Sequence, residues 1–302
     1  MVSDTSGVSA PARFIVSLDQ LHLMEAQTGI AVPSEFHTEW GDGVTAEERE
    51  RRDADALGGL EAMGFIAPSV GASSIADRVN PAVRAYLGLF ADPALSVSVR
   101  SWGGGRTYLH EVAVLSGHAT SLVRTQRLDA RGQNPLNEDS VELSAFTFPE
   151  LIGELLRSLR EIDTGRPAGA VANGSIELPL TELQGLITAI RSDRPGIIEG
   201  AMQEVAISAA SLPIVRAASF GIDAGFTVFA RSRATGDQFS SHWFRANSGW
   251  FELALSTPPL DSVTSSIEFA DRSRVRLSTR GSEAIVATVI TAIGTLGGAL
   301  HG

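Results

Sequence analysis

The chain of 302 residues contains no cysteine and no lysine, so all 24 of its basic residues are arginine. Without cysteine it has no disulfides, thiolate metal sites, iron–sulfur clusters or thiol nucleophiles. Without lysine, Schiff-base, Walker-type and lysine general-base mechanisms are excluded. Positive charge is also in deficit: 35 acidic residues give a formal net charge of −11. A nucleic-acid binder needs a basic face, so that class is set aside. Long apolar runs are scarce. The longest, Ala284–Leu300, is broken by Thr288, Thr291, Gly294, Thr295, Gly297 and Gly298. It reads as a buried helix, and no membrane span is expected. Met1–Ala12 lacks a charged segment followed by an apolar one, so no secretory signal is expected and the cytoplasm is the expected location.

Catalytic signatures are missing too. The chain has no G-x-S-x-G, H-E-x-x-H, P-loop or G-x-G-x-x-G. Gly103-Gly104-Gly105 joins two expected strands and has no following helix to hold phosphate, so it reads as a hairpin. None of the six histidines stands in an H-x-H or i,i+4 pair, and no metal site is expected. Asn173-Gly-Ser175 matches a glycosylation sequon, which carries no weight without a secretory signal. The reading is therefore a non-enzyme with no cofactor. An enzyme with dispersed site residues, or a homodimeric structural protein, is the alternative.

What the sequence does contain is an echo between its halves. Phe14–Leu23 runs from an apolar strand into a leucine-rich helix, and Ser175–Leu183 repeats that order. Each half continues through helices into a strand block. Each ends on Leu-Ser, Val141-Glu-Leu-Ser144 in one and Arg274-Val-Arg-Leu-Ser278 in the other, followed by a helix. The period is too long for a solenoid and points to a duplication with pseudo-two-fold symmetry. The expected organisation is a disordered N-terminus over 1–12, an N-terminal half over 13–165, a linker over 166–173 and a C-terminal half over 174–302.

Within this frame Ser17 caps a helix over Leu18–Thr28 that Gly29 stops. Thr45 and Glu48 form a capping signal. Pro81 opens a further helix. Strands are expected at Leu95–Ser101, Thr107–Leu115 and Thr120–Arg127. In the second half helices are expected at Leu180–Ile190 and Gly196–Ala210. Strands should follow at Ile214–Phe220, Gly225–Arg233, Gln238–Arg245 and Trp250–Ser256. Their short turns allow only antiparallel pairing. The fold class is α+β: a pseudo-two-fold duplicated fold, with a central antiparallel sheet and helical bundles.

Aromatic residues crowd the second strand block. Period-2 alternation puts Phe226 and Phe229 on opposite faces, Phe239 and Trp243 on one face, and Phe244 on the other. Trp250 and Phe251 split likewise. Either helices cover both faces, or one face, with Arg231, His242 and Arg245 interspersed, is a partner groove. The candidate binding residues are Phe226, Phe229, Arg231, Trp243 and Trp250.

Several segments in this order are similar to the EspG family, the chaperones of type VII (ESX) secretion in actinobacteria. They are Leu18–Met24, Asp55–Ile66, Val79–Leu87 with Leu89–Pro93, Phe229–Trp243 with Ser248-Gly-Trp250, and the closing helix. The resemblance spans about residues 13–295. It implies a cytosolic, non-catalytic, cofactor-free protein that binds the helical tip of the PPE protein in a PE–PPE heterodimer. It further implies that the substrate is kept soluble until export. The expected oligomeric state is a monomer or weak homodimer.

Overall fold

The strand-then-helix opening that the sequence repeats is the first element of each half in the computed structural model. The structure describes residues 12–37, 44–69, 74–128, 135–136, 140–163, 174–208, 210–246 and 249–297. The expected disorder before Ala12, the linker over 166–173, the sequon asparagine and most of the 247–249 turn lie outside the described residues.

The first half runs β1 (Ala12–Ser17), α1 (Leu18–Thr28), α2 (Ala46–Ala62), α3 (Ile75–Arg78), α4 (Pro81–Gly88), β2 (Leu95–Gly103), β3 (Arg106–Leu115) and β4 (His118–Leu128). It continues with β5 (Pro135–Leu136), β6 (Ser140–Thr147), α5 (Leu151–Leu155) and α6 (Arg157–Ile162). The second half runs β7 (Ser175–Pro179), α7 (Leu180–Arg191), α8 (Pro195–Glu204), α9 (Leu212–Ser219), β8 (Ala224–Ser232) and β9 (Gln238–Ala246). It closes with β10 (Gly249–Ser256), α10 (Ser266–Arg272), β11 (Arg274–Arg280) and α11 (Ser282–Gly297).

Local chemistry sets these boundaries. Ser17 Oγ accepts from the Gln20 amide while Gln20 Oε1 accepts from the Ser17 amide, a reciprocal cap. Gly29, at φ 67°, supplies the left-handed turn that ends α1. The β2–β3 hairpin turns on Gly104 and Gly105, both at positive φ, the pattern that the twist of paired strands favours. Trp102 and Gly103, expected in the connection, are strand residues paired to Thr107 and Arg106.

All strands pair antiparallel in the order β1-β6-β4-β3-β2-β8-β9-β10-β11-β7, with β5 beside β4. The order reads the same from both ends, which is the pseudo-two-fold. Its axis falls on the Val99–Val228 pair, where the middle residues of β2 and β8 face each other. Following the ladders outward matches the repeats residue by residue. Val141-Glu-Leu-Ser144 falls on Val275-Arg-Leu-Ser278, and Val16, Leu18 and Leu21 fall on Leu178, Leu180 and Leu183.

Three cores follow from strand alternation. On one face of the sheet, α5, α6 and α11 cover the centre and bury Val97, Val99, Phe226, Val228, Trp243 and Trp250. On the other face the helices sit at the flanks. α1, α2 and α4 cover Val141, Leu143 and Leu122. α7, α8 and α9 cover Phe251, Val275 and Leu277.

Two expectations are corrected. Ile214–Phe220 is not a strand. It belongs to α9, where Pro213 stands in the first turn and Ile214, Val215 and Ala218 are buried along one helix side. The helix expected to reach Ala210 stops at Glu204.

Candidate partner-binding site

Among the described residues, helices at the flanks of one face and at the centre of the other leave a strip of sheet uncovered. It is the face of β3, β2, β8 and β9 turned away from α11, a trough floored by sheet and walled by the two helical bundles. Register sets its rows. Trp102 lies beside Gly225 and Phe244. Arg100 lies beside Thr227 and His242. Ser98 lies beside Phe229 and Ser240, and Ser96 beside Arg231 and Gln238.

The floor is partly apolar. Trp102 is 37% and Phe229 39% exposed. Phe220 and Ile222, both exposed, lie in the segment before β8, whose first residues pair with the Trp102 end of β2. Gly225 explains how the indole lies there: a Cβ at that position would run into Trp102, so only glycine lets the ring rest on β8. Phe244 stacks on Phe251 at 5.2 Å with planes 10° apart, which ties the floor to the second bundle's core.

Charge is placed at the first-bundle side. Arg100 pairs with Glu35, whose backbone carbonyl accepts from Arg124. Ser98 Oγ donates to Glu111 across the β2–β3 ladder. Burial, with Glu35 nearby, raises the Glu111 carboxyl to a pKa of about 7, against the pull of Ser98 and Arg100. Among the described residues no group of three or more histidine, aspartate or glutamate side chains could hold a metal ion. No helix among them is long and apolar enough to cross a membrane.

The five residues singled out from sequence do not form one surface. Phe229 and Arg231 lie on the trough floor. Phe226, Trp243 and Trp250 are buried on the opposite face in the core with α11, and Trp243 Nε1 donates to Ser241 Oγ at 2.6 Å. Arg245, expected on the open face, is buried, bonded to Asp223 at 2.8 Å and set 5.8 Å from the Trp250 ring. His242 does lie on the trough.

Sequence reasoning missed Arg100, Trp102 and the serines of β2. Their signal was present, since Leu95, Val97 and Val99 alternate with Ser96, Ser98 and Arg100, the pattern of a strand with one wet face. Reading Trp102 as a turn residue hid it.

Fold and site together define a class: a duplicated α+β sheet whose two halves share one open, aromatic-bearing strip between helical bundles. Among solved structures the chain is similar to the Mycobacterium tuberculosis type VII secretion chaperone EspG5, solved in complex with a PE25–PPE41 dimer. The likeness has a TM-score of 0.60 at 15% identity and covers 94% of this chain and 97% of that one. At that identity it establishes the fold. No family model matches the chain, and no curated protein sequence matches it.

Proposed function

We propose that this chain is a cytoplasmic chaperone-like adaptor of type VII secretion. In this reading it grips the helical tip of the PPE partner in a PE–PPE heterodimer and keeps that pair soluble until export. The observation that carries the reading is the uncovered central strip. Trp102 and Phe229 sit there beside polar neighbours that can bond a partner's helix end. An apolar tip left in water drives aggregation, and covering it removes that drive at roughly 25 cal/mol per Å². Binding of this kind needs affinity and no chemistry. The fold likeness to EspG5 across nearly both chains supports the same reading.

The test is co-expression with the PE–PPE pairs encoded in the same genome, followed by pull-down. Wild type should retain one pair. Trp102→Ala and Phe229→Ala should each lose it, since truncating an interface anchor costs on the order of 2 kcal/mol or more. Retention of the pair by both single variants and by the double variant would place the partner elsewhere. Capture of no PE–PPE pair by wild type would remove the reading.

A further inference from the structure

The sheet ends in two edge strands, β1 and β7, and the duplication makes each a measure of the other. The ladders set Phe14 on Ile176, Ile15 on Glu177 and Ser17 on Pro179. An open edge is a row of unpaired N–H and C=O groups, and proteins blunt such rows with charge, proline or a covering helix. β7 has all three. Glu177 bonds Arg274 at 3.0 Å, Pro179 has no N–H, and α10 packs against the strand.

β1 is not blunted in this way. Its one charge, Arg13, is bonded back to Glu154 at 2.7 Å and Glu142 at 3.5 Å, and Arg157 bonds the same two carboxylates. Where the twin has Glu177, β1 has Ile15 with 62% of its surface in solvent. Among the described residues nothing pairs with the strand's outer edge. Its six residues span about 20 Å, enough for a partner strand of ordinary length.

The two flanks of this edge describe its occupant. On the face of the first bundle a groove of about 460 Å³ runs beside Phe14, with Phe65, Val83 and Tyr86 in its lining. Phe14 meets Phe65 edge-to-face at 4.9 Å, which holds the groove wall in place. On the other face Ile15 stands at a polar cavity that His110, Ser158 and Glu142 also line. A strand sends alternate side chains to opposite faces. One that extends the sheet here therefore sets apolar groups on the Phe14 side and small hydroxyl-bearing ones on the Ile15 side. Arg13, Arg157, Glu142 and Glu154 are matched among themselves, so the segment needs no charge of its own.

We propose that the outer edge of β1 takes an extended, uncharged segment of another protein as an added strand. Backbone bonds give the affinity, and alternate apolar side chains in the groove give the register. β4 and β6 separate this edge from the trough, and it works without the trough. The test uses a fluorescein-labelled peptide of alternating valine and threonine, matched in length to β1. Its anisotropy should rise to a plateau, and the β1 amides should gain protection from hydrogen exchange. The same peptide with every backbone nitrogen methylated should not bind. Ile15→Lys should weaken binding by roughly tenfold or more, because a charge is then set against apolar side chains. Its melting temperature should match wild type, as the site is exposed. Ile267→Lys, also at an exposed isoleucine but on α10, should bind as wild type does. No plateau at millimolar peptide would overturn the proposal. So would undiminished binding by Ile15→Lys or of the methylated peptide. A wild-type dimer in light scattering that Ile15→Lys makes monomeric would give the edge to a second copy and overturn it too.

Discussion

Truncating Trp243 and truncating Phe229 should separate stability from binding, because the two side chains lie on opposite faces of adjacent strands. Trp243 stands opposite Phe226 and is 3% exposed beneath α11, with its indole N–H bonded to Ser241. Removing so large a buried side chain costs about 3–5 kcal/mol. Unfolding entropy is roughly 2.1 cal/mol/K per residue near 60 °C. For 302 residues melting together, that is about 0.6 kcal/mol/K. Trp243→Ala should therefore melt about 5–8 °C early. Phe229 stands opposite Ser98 and Ser240 with 39% of its surface in solvent. Phe229→Ala should shift melting by no more than about 2 °C, as exposed substitutions do. Calorimetric melts of each purified variant, run beside the PE–PPE pull-down, read both quantities. An early melt for Phe229→Ala, or a wild-type melt for Trp243→Ala, would refute the assignment of faces.

Three further outcomes follow from the geometry. Gly225→Ala should push the Trp102 indole off β8, which tryptophan fluorescence reads as a red shift and the pull-down as weakened binding. Arg245→Ala should cost on the order of 1–2 kcal/mol, seen as an early melt, because it removes charge-assisted bonds to Asp223 and Asp163, whose carboxylates are partly solvated. Glu111 titrates higher in the folded state, about 7 against an ordinary 4.5, so its contribution is full below pH 4.5 and is lost as pH rises through 7. Glu111→Gln should therefore gain stability over wild type at pH 8 and show no such gain at pH 4, in paired melts across that range. Taking the difference between the two proteins cancels His110, which is held neutral down to about pH 3 and acts with the opposite sign.

Local signals made much of this architecture legible. The Ser17 cap and the Gly29 stop bound α1 at the expected residues, because both act through neighbours within four positions. The Leu-Ser echo marked the two segments that the ladders superpose, and both are strands, β6 and β11, which the sequence reading had not expected. Ile214 and Val215 misled because a β-branched pair favours a strand in isolation. Burial against α7 and the second sheet flank overrode that preference. Alternation correctly separated Phe226 from Phe229, yet it cannot say which side a distant helix will cover. That choice is made by α11, more than fifty residues downstream of Phe229. The cavity lined by His110 and Ser158 was beyond sequence for the same reason, since β3, β4, β6 and α6 meet only in the folded chain.

The seam at Val99 and Val228 has a genetic consequence. Two separate copies of one half, pairing β2 to β2 across a dyad, would build the same sheet as a homodimer. In such a dimer each codon change lands on both sides of the axis at once. Joined in one polypeptide, the copies mutate singly. One can carry His110 and Glu142 where its twin carries Ser241 and Arg276. A single chain can therefore let its halves diverge position by position, as His110 and Ser241 have.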